Sequence, residues 1–150
     1  MDLSAFEAGL KAGEQGIDVQ INWPGTDKAT GITIRVASYE SERVMARARD
    51  IGNRVKKQRA KDPLKIEAIE DEEARLLALD IAATVGWSGI EESDQPIPFN
   101  EDNVQRIYLK FPFIVDQVRK AGSDRTLFFG EPPKPCVKPS EPGSVTTLDP

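Results

Sequence analysis

Ile17-Asp18-Val19-Gln20-Ile21-Asn22-Trp23 decides the fold class. Apolar residues at 17, 19, 21 and 23 alternate with polar ones at 18, 20 and 22, the period of a strand with one buried face. Pro24-Gly25-Thr26-Asp27 has the chemistry of a turn. Alternation resumes with Ile32, Ile34 and Val36 against Thr33 and Arg35. The two runs make an antiparallel hairpin over 17–37 with a long polar loop at 24–31. An isolated hairpin is marginal in water, so helices must cover its apolar face.

Outward from the hairpin the period changes. Val44, Ala48, Ile51 and Val55 mark one face of a helix over about 40–60, with Ser38 or Ser41 as its cap. Asp62-Pro63 starts a second helix over 63–85, with Ile66, Ile69, Leu76, Leu77, Ile81 and Val85 on its apolar face and Gly86 at its end. The short link predicts that the two helices pack antiparallel. Residues 86–99 read as a loop anchored by Trp87 and Phe99. Asn100, followed by Glu101 and Asp102, opens a helix over 100–110, and Phe111-Pro112 restarts it over 112–121, with Gly122 at its end. Residues 1–16 carry one helical turn or two, at Phe6 and Leu10, before Gly13 and Gly16, and are expected to be loosely attached. After Phe129, six of the eleven prolines fall in 130–150, and little there can be buried. The expected fold is therefore α+β. One domain over 1–129 holds a small N-terminal antiparallel β-hairpin packed on a mainly helical body of about four helices. A disordered Pro-rich tail follows.

Composition narrows the chemistry. The 150-residue chain has no histidine, which removes Ser-His-Asp and Cys-His triads and any histidine metal site. Its one cysteine, Cys136, can form neither an intrachain disulfide nor a zinc cluster, which favours a reducing compartment. The first residues lack a basic region and an apolar stretch of signal-peptide length. No apolar run is long enough to span a membrane. Gly86-Trp87-Ser88-Gly89-Ile90 superficially resembles a nucleophile elbow, but Ile90 stands where the second glycine belongs and Ser88 has no histidine base. The carboxylate runs Glu70 to Glu73 and Glu91-Glu92 look like solvated helix surface rather than a glycosidase pair or a calcium loop. No enzyme, cofactor or metal is expected.

Charge is segregated on a chain of net charge −5. Residues 40–66 hold nine Lys/Arg and four Asp/Glu, a net of +5; residues 67–102 hold one Arg and eleven Asp/Glu, a net of −10. Such a bipolar protomer is suited to head-to-tail self-association. The alternative is neutralisation within the helix pair, or solvation of each face. A nucleic-acid reading of Lys56-Lys57-Gln58-Arg59-Ala60-Lys61 lacks stacking aromatics nearby and is followed by the acidic stretch. Arg125-Thr126-Leu127-Phe128-Phe129 either packs back on the core or forms an exposed docking strip.

Three pieces in order carry a family resemblance: Val85-Gly86-Trp87-Ser88-Gly89-Ile90-Glu91-Glu92; then Pro96-Ile97-Pro98-Phe99-Asn100-Glu101-Asp102-Asn103; then Phe111-Pro112-Phe113-Ile114-Val115-Asp116-Gln117-Val118 with Asp124-Arg125-Thr126-Leu127-Phe128-Phe129. Over about residues 76–129 the chain resembles the tail assembly chaperones of long-tailed bacteriophages, the lambda-like siphophage type. The resemblance implies a non-catalytic protein of the host cell cytoplasm that is absent from the mature virion. Its implied partners are the tape measure protein, which it keeps soluble, and the tail tube protein, which it recruits. It also implies that a longer product can arise by ribosomal frameshift near the gene's end. The contact residues chosen on chemistry are Arg43, Arg47, Arg54 and Lys57 of the basic helix, Trp87, Phe99, Leu127, Phe128 and Phe129, with no nucleic acid and no membrane as partner. The alternatives are a minor tail or connector protein retained in the virion and a nucleic-acid-binding regulator.

Overall fold

In a computed structural model, residues 1–64 and 69–130 are described, the side chains of Ile69 and Glu70 excepted. A 3₁₀ turn at Leu3–Phe6 leads into α1 (Glu7–Gln15). Then come β1 (Ile17–Asn22), β2 (Ala29–Val36), α2 (Glu42–Lys61) and α3 (Ile69–Ala83). β3 (Thr84–Ser88), the short strands β4 (Glu91–Glu92) and β5 (Gln95–Pro96), and helices α4 (Glu101–Lys110), α5 (Pro112–Gly122) and α6 (Arg125–Phe129) complete the described residues. The chain is a mixed helix-and-strand fold, with six α-helices among the described residues.

The hairpin forms in the register its alternation dictates, Ile17 opposite Val36 and Val19 opposite Ile34. It belongs, however, to a three-stranded antiparallel sheet in the order β1-β2-β3. The third strand is a correction to the helix expected to run through Val85 and stop at Gly86. Thr84-Val85-Gly86-Trp87-Ser88 pairs with β2, Trp87 opposite Ile34. No turn residue separates α3 from β3, so the change of state is set by an available strand edge rather than by a local signal. The expected start of that helix at Pro63 is also displaced: Pro63 and Leu64 form a turn, and residues 65–68, Ile66 among them, lie outside the described part. So do residues 131–150 of the tail.

One sheet face packs against the helices. Ile21, Ile34, Val36, Val44, Val104, Ile107, Tyr108, Ile114, Val115 and Val118 form the core. The other face carries Asp18 and Arg35, paired at 3.2 Å, and stays wet. At the edge of the sheet the side-chain amide of Gln117 pairs with β1 as a strand would. The Asn22 N–H donates to its Oε1 at 2.8 Å, and its Nε2 donates to the Asn22 carbonyl at 2.9 Å.

The N-terminal segment is not loosely attached. Gly9 and Gly13 are the buried residues of α1, while Leu10 is largely exposed. A Cβ at Gly9 would overlap the Phe129 ring, and one at Gly13 would crowd Ser38 at 3.1 Å. The helix docks through its glycines, a face that hydrophobic periodicity cannot reveal. Its far end caps α2: Glu14 Oε1 accepts the Glu42 N–H at 2.7 Å, whereas Ser41, the N-cap residue, makes no capping bond with its side chain.

A polar network crosses the core. Asp80 of α3 is fully buried. Arg119 of α5 grips its carboxylate, Nε at 3.1 and 3.0 Å from the two oxygens and Nη2 at 2.6 Å. The Tyr39 hydroxyl donates to Asp80 Oδ1 at 2.5 Å. Thr84 Oγ1 donates to the Asp80 carbonyl at 2.8 Å, which leaves Tyr108 Oη to donate to Thr84 at 2.6 Å.

These two are the chain's only tyrosines. Burial pushes both phenols well above their ordinary value of 10.0, and at Tyr39 the hydrogen bond to Asp80 adds to it. A folded pKa above the unfolded one stabilises fully below about pH 10, and that stabilisation is lost as pH rises further. Alkaline titration should therefore show no phenolate absorbance near pH ~10.5 while the fold persists, then both tyrosines ionising together with unfolding. Phenolate appearing with ordinary titration in the folded protein would contradict this packing.

Candidate functional site

An apolar groove lies where the sheet's end meets α4 and α5. It encloses about 500 Å³ and is lined by Trp23, Ile32, Ile90, Ile97, Ile107, Phe111, Phe113 and Ile114. That volume is in the range of binding clefts. Its position follows from local structure. Trp23 directly follows β1 and is 59% exposed. Gly89 has φ +79 and lets the chain leave β3 directly across Gly31 of β2, where a Cβ would overlap the Gly31 carbonyl oxygen. This crossing sets Ile90 into the groove floor, 7% exposed.

The two-residue turn Ser93-Asp94, with φ 52 and 62, folds β4 onto β5 so that Glu92 faces Gln95. The Ile97 N–H then closes on the Ile90 carbonyl at 2.9 Å. Asn100 caps α4 at 2.8 Å, and Asn103 Nδ2 holds the Pro98 carbonyl at 2.8 Å. Phe111 ends α4 and Pro112 begins α5, so Phe111 and Phe113 flank the break, their rings 6.3 Å apart edge to face.

The groove's rim is charged on two sides. Glu91 and Glu92 come from β4, Arg106 and Lys110 from adjacent turns of α4. Arg106 Nη1 meets Glu92 Oε2 at 3.2 Å, and Lys110 Nζ sits 5.6 Å over the Phe111 ring.

The residues singled out from sequence fall in three separate places. On α2, Arg47 and Arg54 pair with Asp50 at 2.9 and 3.2 Å. Arg43 and Lys57 have no ion-pair partner among the described residues. Trp87 and Phe99 do come together, edge to face at 5.3 Å, but Trp87 is a support. Its indole N–H donates to the Ile97 carbonyl at 3.0 Å and holds the segment that forms the groove wall. The strip at the end divides. Phe128 is buried, Phe129 packs on Gly9 and Phe6, and Leu127 is half exposed. Leu127 lines a neighbouring hollow of about 350 Å³ whose other wall is Trp23.

Trp23, Ile32, Phe111 and Phe113 were not among the candidates. The aromatic pair around Pro112 was a usable signal: two large rings beside a helix break cannot both enter the core. Trp23 gave none beyond its place at a strand end.

No protein-family model, curated protein or solved structure matches the chain.

Proposed function

We propose that the protein is a non-catalytic tail assembly chaperone of the lambda-like siphophage type. In this reading it binds the tape measure protein, keeps it soluble in the host cytoplasm, recruits tail tube subunits and is shed before the virion matures. One observation carries the reading. The three sequence pieces that bear the family resemblance contribute Ile90, Glu91 and Glu92, then Ile97, then Phe111, Phe113 and Ile114 to one groove. An apolar floor with charged rims suits the apolar stripe of an amphipathic helix, and a tape measure protein exposes such stripes along its length until the tube encloses them. Many weak, repeated contacts of this kind add avidity without a tight single site.

Co-expression tests it. The wild-type chain should keep the tape measure protein in the soluble fraction and co-purify with it. Trp23→Ala with Phe111→Ala, both at exposed positions, should release it, since each buried aromatic anchor is worth about 2 kcal/mol, or ~30-fold in affinity. A client that stays insoluble beside the wild-type chain would sink the proposal. Abundant peptides of residues 1–130 in purified particles would turn it toward a retained minor tail or connector protein.

A further inference from the structure

We infer that α1 is a latch on the start of α2, and that α2 keeps two alternative caps: Glu14 while α1 is docked, and the hydroxyl of Ser41 once α1 swings away. Ser41 has the backbone of an N-cap residue, φ −66 and ψ 155. Such a residue ordinarily turns its hydroxyl to the N–H two or three positions on, here Arg43 or Val44. In the docked form it does not. Ser41 is 3% exposed, and its Oγ has no hydrogen-bond partner among the described residues. A buried hydroxyl left unpaired is unfavourable. Because the backbone already fits, a rotation about χ1 is all that capping requires. The cap comes instead from 28 residues away, through Glu14 Oε1 on the Glu42 N–H.

The attachment of α1 is specific but shallow. The residues it buries are Gly9 and Gly13, while Leu10 is 61% exposed, so release returns little apolar surface to water. The Phe129 ring lies on Gly9 and meets Phe6 edge to face, yet both rings are already more than two-fifths exposed. A hollow of about 50 Å³ remains at the junction, lined by Gly9, Gly13, Ser41 and Phe128. Two further bonds are polar ones that water can replace: the Ser38 N–H donates to the Gly13 carbonyl at 2.9 Å, and Arg35 Nε to the Gln15 carbonyl at 3.0 Å. Few buried apolar contacts and replaceable hydrogen bonds mark a segment that opens locally while the rest stays folded. Gly16, φ 85, is the one residue between α1 and β1 and supplies the hinge. Release uncovers the face of Phe129 that lies on Gly9. None of these residues lines the groove, so the inference stands apart from what the groove binds.

Native-state hydrogen exchange on the full chain tests the latch. The Lys11 and Ala12 amides of α1 should exchange on the order of 100-fold faster than those of Ile34 and Val36 in the sheet. Their rates should be flat at low denaturant, because local opening exposes little surface. An ordinary N-cap serine loses stability on change to alanine. Ser41→Ala should do the reverse here. The Lys11 and Ala12 amides should exchange about fivefold more slowly, the worth of one cap withdrawn from the released form, and the denaturant midpoint should hold or rise. Glu14→Ala should speed the same amides by a similar factor and leave Ile34 and Val36 unchanged. A Ser41→Ala protein whose α1 exchanges as before or faster, or whose midpoint falls, would overturn the inference, since the hydroxyl would then already be served in the docked form. So would α1 amides that exchange only together with the sheet.

Discussion

Arg119→Met is expected to be the most damaging single substitution in the core, at about 3 kcal/mol, because it strands the buried carboxylate of Asp80. Breaking one partner out of a buried ion pair costs about 3–5 kcal/mol, mostly as the desolvation of the charge left behind. Asp80 is fully buried, with only the Tyr39 hydroxyl left to serve its oxygens after the substitution. The lower end of the range applies because the Arg119 side chain is 35% exposed and water screens part of the pair. The same asymmetry orders the variants. Asp80→Asn should cost less, because Arg119 can turn toward solvent and the amide still accepts from Tyr39. Combining Asp80→Asn with Arg119→Met should recover part of the loss of Arg119→Met alone. Denaturant midpoints of the three variants read this directly. Additive losses, or Asp80→Asn worse than Arg119→Met, would show that the pair is not held as described.

Gly89→Ala is expected to cost about 2–4 kcal/mol and to close the groove with it. An L side chain at positive φ costs about 1–2 kcal/mol by itself. Here the added methyl also meets the backbone oxygen of Gly31, which cannot rotate away as a side chain can. Separating the two strands at that crossing lifts Ile90, the next residue, from the groove floor. Gly86→Ala is the control. Gly86 is a strand glycine three residues earlier, a Cβ there meets nothing within 4 Å, and the change should be nearly neutral. Client retention and denaturant midpoint should fall together for Gly89→Ala and hold for Gly86→Ala. A Gly89→Ala protein as stable and as retentive as the parent would refute the tight crossing.

The hairpin was legible because alternation with one buried face has a single consistent register. Helices α4 and α5 were legible because their start signals and apolar spacings agree, Asn100 before two acids and Pro112 at a first turn, and α2 was legible from its apolar spacing. β3 was not, since Thr84-Val85-Gly86-Trp87 continues an apolar run without punctuation, and only the edge of β2 decides its conformation. The docking of α1, as opposed to its helical turns, was hidden for the opposite reason. Its buried face is glycine, so the one large apolar side chain of the helix, Leu10, marks the side turned outward. The groove was half legible. The segments around Trp87, Phe99 and Phe111 were read as significant, yet which residues turn outward depended on a left-handed crossing at Gly89 that composition does not encode. The charge contrast between 40–66 and 67–102 was legible as well, but α2 resolves part of it internally, through Asp50 and Glu42.

Gln117 gives the fold a property of its own. By filling the backbone valences of Asn22 with a side-chain amide, it denies that end of the sheet to any extended peptide seeking a row of hydrogen bonds. Unpaired backbone groups at a sheet margin are otherwise a template for pairing with another chain. The plug closes that end of β1 to the addition of a further strand.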